Sequence, residues 1–178
     1  MAALNSKFDI LRGWPNSSAV QEDFVIPSTA NLGTHTFKQG QWVSLLDSND
    51  GVMSCDPTIN NVDSSATKSC YLIIEGRDDF SAQFANRVTC LLGGGYIVRL
   101  PQKGVDSSGA EYNILSAAST GFTVGQRVKV VDGILNPVDG ADIDAAADDV
   151  GEINARAAVV GHVLATNDSN NTIDVYVV

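Results

Sequence analysis

A chain of 178 residues with 44% hydrophobic residues can bury the core of one sizeable domain or two small ones without metal or disulfide support. Eleven basic side chains against twenty-one acidic ones give a formal charge of −10, which repels phosphate backbones and argues against direct binding of nucleic acid. No apolar run approaches the roughly 20 residues that span a bilayer, and the start lacks the basic flank and apolar stretch of a secretory leader, so the expectation is a soluble, cytoplasmically made chain with no membrane partner.

The charge is unevenly placed. Residues 130–178 carry Arg156 against nine acids, so most of the excess lies in the last third. The three cysteines, Cys55, Cys70 and Cys90, show no C-x-x-C pairing and read as small hydrophobes in a reducing compartment.

In chain order, residues 1–36 come first, with Pro15, Pro27 and the polar run Asn16-Ser17-Ser18. Their apolar groups follow neither a helical nor an alternating period, which suits an extended N-terminal arm ordered by another surface. Phe8, Ile10, Leu11 and Trp14 are its expected partner contacts. From Phe37 onward Val, Ile, Thr, Tyr and Phe sit in short runs broken by turn residues, the alphabet of strands. Gln41–Leu46 enters a turn at Asp47-Ser48-Asn49-Asp50-Gly51, where Asn, Asp and Gly supply the positive-φ positions. Further strands are expected at Cys70–Glu75, Arg87–Leu92, Gly95–Leu100, Gln126–Val131, Ala157–Leu164 and Thr172–Val178, with Gly93-Gly94-Gly95 as a hairpin turn. Only Phe80–Asn86 and Ala141–Val150 suit a helix, the latter with aspartates at its start.

One internal similarity organises the remainder. Phe37-x-x-Gly40-Gln41-x-Val43 and Phe122-x-x-Gly125-Gln126-x-Val128 share the pattern F-x-x-G-Q-x-V-x-[LV]-[LV]-D at an offset of 85 residues. The expected fold is all-β, with an arm over 1–36, a first β unit over 37–104 and a related second unit over 105–178.

Catalytic chemistry finds little to build on. His35 and His162 are the only imidazoles, and alternation in Val159–Leu164 puts His162 opposite Val163, as a strand histidine facing solvent or a subunit. Gly104–Gly109 lacks the spacing of a nucleophile elbow, and Gly93–Gly95 runs into a strand, whereas a phosphate loop opens a helix. Asp47–Gly51 resembles a calcium loop, but its glycine comes one place early and Thr58 stands where a bidentate Glu belongs. The acidic run Asp139, Asp142, Asp144, Asp148, Asp149 and Glu152 reads as a solvated face. No catalytic residue, cofactor or metal site is therefore expected.

The second half carries a family resemblance. Gly125-Gln126-x-Val128-x-Val130-x-Asp132-Gly133, Asn136-Pro137-Val138, Val159-Val160-Gly161-x-Val163-Leu164 and Asn171-Thr172-Ile173-x-Val175-x-Val177 resemble the small β-barrel or β-tulip modules of phage head-decoration proteins, which cement capsids. The resemblance covers 122–178 and, more faintly, 37–100. It implies a non-enzymatic virion protein on the capsid exterior, a homotrimer docked on the major capsid protein. Two alternatives stand beside it. One is a tail, baseplate or fibre-attachment component; the other is a carbohydrate-binding module or hydrolase using Trp14, Trp42, Tyr96 and Tyr112 as stacking faces.

Overall fold

The computed structural model describes residues 8–12, 20–26, 37–46, 54–56, 70–76, 86–131, 133–138 and 159–178. These residues are almost entirely β. The strands are β1 (Asp9–Arg12), β2 (Val20–Val25), β3 (Trp42–Leu46), β4 (Ser54–Asp56), β5 (Cys70–Glu75), β6 (Arg87–Leu92), β7 (Tyr96–Pro101), β8 (Lys103–Val105), β9 (Glu111–Asn113), β10 (Arg127–Val131), β11 (Ile134–Pro137), β12 (Val159–Asn167) and β13 (Thr172–Val177). A single 3-10 turn, Ser119–Gly121, completes the regular structure among the described residues. All seven strands expected from the sequence are present close to their expected bounds. The helical candidate 141–150 lies outside the described residues, as do residues 80–85 of the other.

The strands form a closed barrel, β2-β4-β3-β5-β6, a six-stranded sheet, β1-β7-β13-β12-β10-β11, and the small β8-β9 hairpin. Read from their first strands, the barrel runs β2-β6-β5-β3-β4 and the sheet, leaving β1 aside, runs β7-β13-β12-β10-β11. In both, the first strand pairs with the fifth, the fifth with the fourth, the fourth with the second and the second with the third, every pair antiparallel. The correspondence extends to irregularities. A register shift falls between Ile73 and Glu75 where β5 meets β6, and another between Val163 and Ala165 where β12 meets β13.

The shared F-x-x-G-Q motif has a physical explanation in the turn before the second strand. Gln41 N donates to Lys38 O (3.1 Å) and Gln126 N to Thr123 O (2.9 Å), closing four-residue turns whose third residues, Gly40 and Gly125, have φ of 85° and 86°. A type II turn needs that positive φ, which glycine adopts without Cβ strain. The glutamine side chain then fastens the turn. Lys38 N donates to Gln41 Oε1 (3.0 Å) and Thr123 N to Gln126 Oε1 (2.9 Å), while each Nε2 donates outward at 3.1 Å, to Asn113 O and Val138 O respectively. Both turns are tied to the fourth strand by the same two bonds: Gly40 N to Ile73 O and Gly125 N to Val163 O (2.8 Å each), with Ile73 N to Gln41 O and Val163 N to Gln126 O (2.9 Å each). The flanking Phe37, Val43, Phe122 and Val128 are buried.

The two assemblies close differently. In the barrel β2 also meets β4 through a parallel bridge, Val25 to Ser54. In the sheet the corresponding flank of β7 is taken by β1, with Asp9 opposite Arg99 and Ile10 opposite Val98, and β11 instead bridges in parallel to Leu115 beyond the β8-β9 hairpin. One hydrophobic cluster runs through both, including Phe24, Trp42, Leu72 and Cys90 from the barrel and Val98, Val128, Val163 and Val175 from the sheet.

Three expectations are corrected here. Within 1–36, β1 and β2 are components of the chain's own sheets, so those stretches are no free arm; Phe24 and Ile26 sit in the core. Only one of the first five residues of β2 is buried, so no alternation betrayed the strand. The boundary between the halves also moves, because β7 pairs with β13 and β1 and belongs with the second set, away from 37–104. Gly93-Gly94-Gly95 is no hairpin turn, since β6 and β7 lie in different sheets. It is a crossing, in which a Cβ at Gly94 would come within 2.3 Å of the Val178 backbone.

The paired glycines give an internal control on the cost of a side chain. A Cβ at Gly40 would lie 2.9 Å from Ile114 Cδ1, while one at Gly125 would meet nothing within 4 Å. Gly125→Ala should cost about 1 kcal/mol from backbone strain alone, and Gly40→Ala roughly 2–4 kcal/mol because overpacking is added. Urea midpoints of the two variants check this; equal losses would contradict it.

Candidate interaction surface

Several polar side chains of this molecule hold backbone. Asp106, at the tip of the β8-β9 hairpin, accepts through Oδ1 from Ser108 Oγ (2.6 Å), Ser108 N (2.9 Å) and Ala110 N (2.9 Å), and Lys38 Nζ lies 3.4 Å from its Oδ2. At the β12-β13 end, Asn171 takes a φ of 53° and organises a second cluster. Its Oδ1 accepts from Ser119 N (2.7 Å), its Nδ2 donates to Gln102 Oε1, and Ser119 Oγ donates to Asp168 Oδ1 (2.9 Å). Asparagine tolerates the left-handed region better than most residues, which suits it to this tip.

Equivalent places in the two sets carry different chemistry. Thr89 faces Asp23 across β6 and β2, and its hydroxyl donates to Asp23 Oδ1 (2.7 Å) or Glu75 Oε2 (2.9 Å). At the matching place Asp174 faces Arg99 across β13 and β7 in a two-pronged ion pair of 2.7 and 2.9 Å. Among the described residues no group of three or more His, Cys, Asp or Glu is placed to hold a metal ion. The Asp47–Gly51 loop and the acidic run 139–152 lie outside the described residues, as does His35.

His162 lies half-buried on the outer face of the sheet, its ring centroid 5.3 Å from that of Tyr176 on the neighbouring strand. Backbone register places Ile97, Tyr176, His162 and Arg127 in one row across β7, β13, β12 and β10. Of the four expected partner contacts, Phe8 and Ile10 pack against the chain's own core, Leu11 is half-buried in β1, and Trp14 lies outside the described residues. The pairing of β1 with β7 sets Ile10 opposite Val98, and Phe8 and Ile10 remain half-buried. The stacking faces of the carbohydrate reading are largely withdrawn too: Trp42 and Tyr96 are buried, and Tyr112 Oη donates to Gln39 O (3.1 Å).

The exposed apolar groups lie elsewhere. Val124 is 60% exposed and Leu164 41% exposed, beside the turn at Gly125, and Arg127 follows, also exposed. The sequence carried a signal for them, since the aligned motifs set Val124 against Gln39, an aliphatic group against an amide in a turn. Comparison with known proteins finds no family model, no curated protein and no solved structure that matches the chain.

Two stability predictions follow from the buried and hydrogen-bonded groups. Tyr96 is 1% exposed, its hydroxyl has no hydrogen-bond partner among the described residues, and burial pushes its ionisation well above the ordinary phenol range. Tyr96→Phe removes an unsatisfied buried hydroxyl and should leave stability unchanged or raise it by about 1 kcal/mol, read from the urea midpoint. The Ser108 hydroxyl and the Ala110 amide lower Asp106 to about 2 from its ordinary 3.8. A depressed folded-state value contributes stability above the ordinary value and loses it as pH falls toward the folded one. The wild type should therefore lose its advantage over Asp106→Asn between about pH 4 and pH 2, measured as the difference in melting temperature. A difference constant across that range would show that the carboxylate's charge is not what the hairpin tip uses.

Proposed function

We propose that the chain is a non-enzymatic structural protein of a bacteriophage virion, decorating and cementing the exterior of the assembled capsid as a homotrimer on the major capsid protein. The same proposal treats the two five-strand sets as related units of one chain. The observation that carries it is the recurrence of one five-strand order with one Gly-Gln turn, a scaffold whose repeated turns are fastened by glutamine side chains bonded to backbone. Such a scaffold suits a protein that acts through surface area. Its acidic surface favours solubility and has no affinity for the packaged genome. A lattice bound in many copies is stabilised by mass action, because the ligand engages only the assembled form.

The test is sedimentation of the full chain with intact particles and with particles stripped of it. Shell-wide stoichiometry in multiples of three is expected, together with a raised disruption temperature of the decorated shell. A few copies per particle, matching the symmetry of the tail, would move the protein to the tail or baseplate. Truncation separates the roles of the first strands. Deleting residues 2–12 removes β1 alone and should leave a folded chain, whereas deleting residues 2–30 removes Phe24 and Ile26 from the core and should unfold the barrel. Circular dichroism with thermal melts distinguishes the two; a cooperative barrel melt in the longer deletion would refute this.

A further inference from the structure

The turns at Gly40 and Gly125 share their hydrogen bonds and differ in what lies over them. At Gly40 the cover is the β8-β9 hairpin with the residues that follow it. Ile114 reaches the glycine, Tyr112 Oη donates to Gln39 O (3.1 Å), and Lys38 Nζ meets the Asp106 carboxylate at 3.4 Å. Beyond the turn Trp42 is fully buried, its backbone N donating to Gly133 O (2.9 Å). At Gly125 no described residue takes those places. Val124 stands where Gln39 does and is 60% exposed; nothing lies within 4 Å of a Cβ on Gly125. Leu164 takes the place of Ile74, directly after the strand residue to which the turn is bonded. It is 41% exposed, while Ile74 packs against the core. Arg127 takes the place of Trp42, exposed and in no ion pair among the described residues.

Scattered exposed aliphatic residues are ordinary, but these two flank the Gly125 N to Val163 O bond, whose counterpart from Gly40 N to Ile73 O lies beside an internal interface. We propose that Val124, Gly125, Leu164 and Arg127 form the docking surface for a loop of the shell protein, an assignment that rests on the function proposed above. The covered turn specifies the occupant's first two contacts, and the charge of Arg127 the third. An aliphatic side chain sits over Gly125 as Ile114 sits over Gly40, and a hydrogen-bond donor serves the Val124 carbonyl as Tyr112 serves that of Gln39. A carboxylate meets Arg127, an exposed cation on a chain of net charge −10. Charge complementarity at that cation then sets orientation and association rate, and the desolvated aliphatic contact sets the dissociation rate.

The test uses the full chain and shells assembled without it. The double variant V124D/L164D should bind shells at least tenfold more weakly, with an unchanged melting temperature. R127E, a change confined to an exposed side chain, should weaken binding severalfold and flatten its dependence on salt. V20D, a charge placed on another exposed aliphatic residue, should bind as the wild type does. If V124D/L164D and R127E sediment with shells as the wild type does, the docking surface is wrong while the capsid reading stands. If the wild type itself does not bind shells, both fall. A wild-type dimer in sedimentation equilibrium that V124D/L164D dissociates would assign the face to a second copy and overturn the shell loop as its occupant.

Discussion

Two short turns fix where most of this molecule can go. Each must reverse the chain just before a central strand and hold it against the fourth strand of its set, and each does so with a glycine at positive φ locked by the glutamine that follows. The glutamine's amide has both an acceptor and a donor, so one side chain satisfies the turn's own N–H and reaches a carbonyl on another segment. Once that clamp is set, the register of β3 on β5 and of β10 on β12 follows, because a slip of one residue would turn every buried valine and leucine to the opposite face. The two sets share the register shifts at Ile73/Glu75 and Val163/Ala165, and differ where β10 on β12 shifts between Val128 and Lys129 while β3 on β5 runs without a shift.

Against this common frame the differences carry the information. The chain between β7 and β10 contains a hairpin that has no counterpart among the described residues between β2 and β3, and that hairpin covers the first clamp. Gln41 finds its outward acceptor on Asn113 of this stretch, whereas Gln126 finds its own on Val138 at the end of β11. The hairpin thus ties the two strand sets together at the first clamp, and among the described residues no such cover lies over the second.

Much of the strand pattern was legible because the core strands obey simple alternation. Tyr96–Leu100, Arg127–Val131 and Ile173–Val177 bury every second residue, and the bounds read from them hold to within a residue. The F-x-x-G-Q motif was legible as well, since a glycine and a glutamine at fixed spacing reflect a turn's demands on backbone and side chain. What escaped notice lacked a local signature. β1 and β2 carry as many apolar as polar residues, in no alternating pattern, and gain their order from β7 and β6, which lie far along the chain, so no window of sequence displays the reason for them. The three glycines before Tyr96 offered a hairpin on local grounds, yet tertiary demand, the close passage of the Val178 backbone, decided their use. The exposed face around Val124 was hidden for a related reason: an aliphatic residue in a turn means nothing until its counterpart is seen to be covered.

The position of β1 has a consequence for how the chain acquires its shape. Every other strand of the sheet, and the whole barrel, finds its partners within its own stretch of chain: β2 through β6 for the barrel, β7 through β13 for the rest. β1, which comes before the others among the described strands, is the exception, for its partner β7 is made only after the entire barrel. Pairing it early is impossible, and pairing it late closes the longest loop in the molecule at an entropic cost that grows only slowly with loop length. Synthesis therefore favours a sequence of events in which the barrel forms first and the sheet builds behind it. The N-terminus seats last, as a latch on a fold that is otherwise complete.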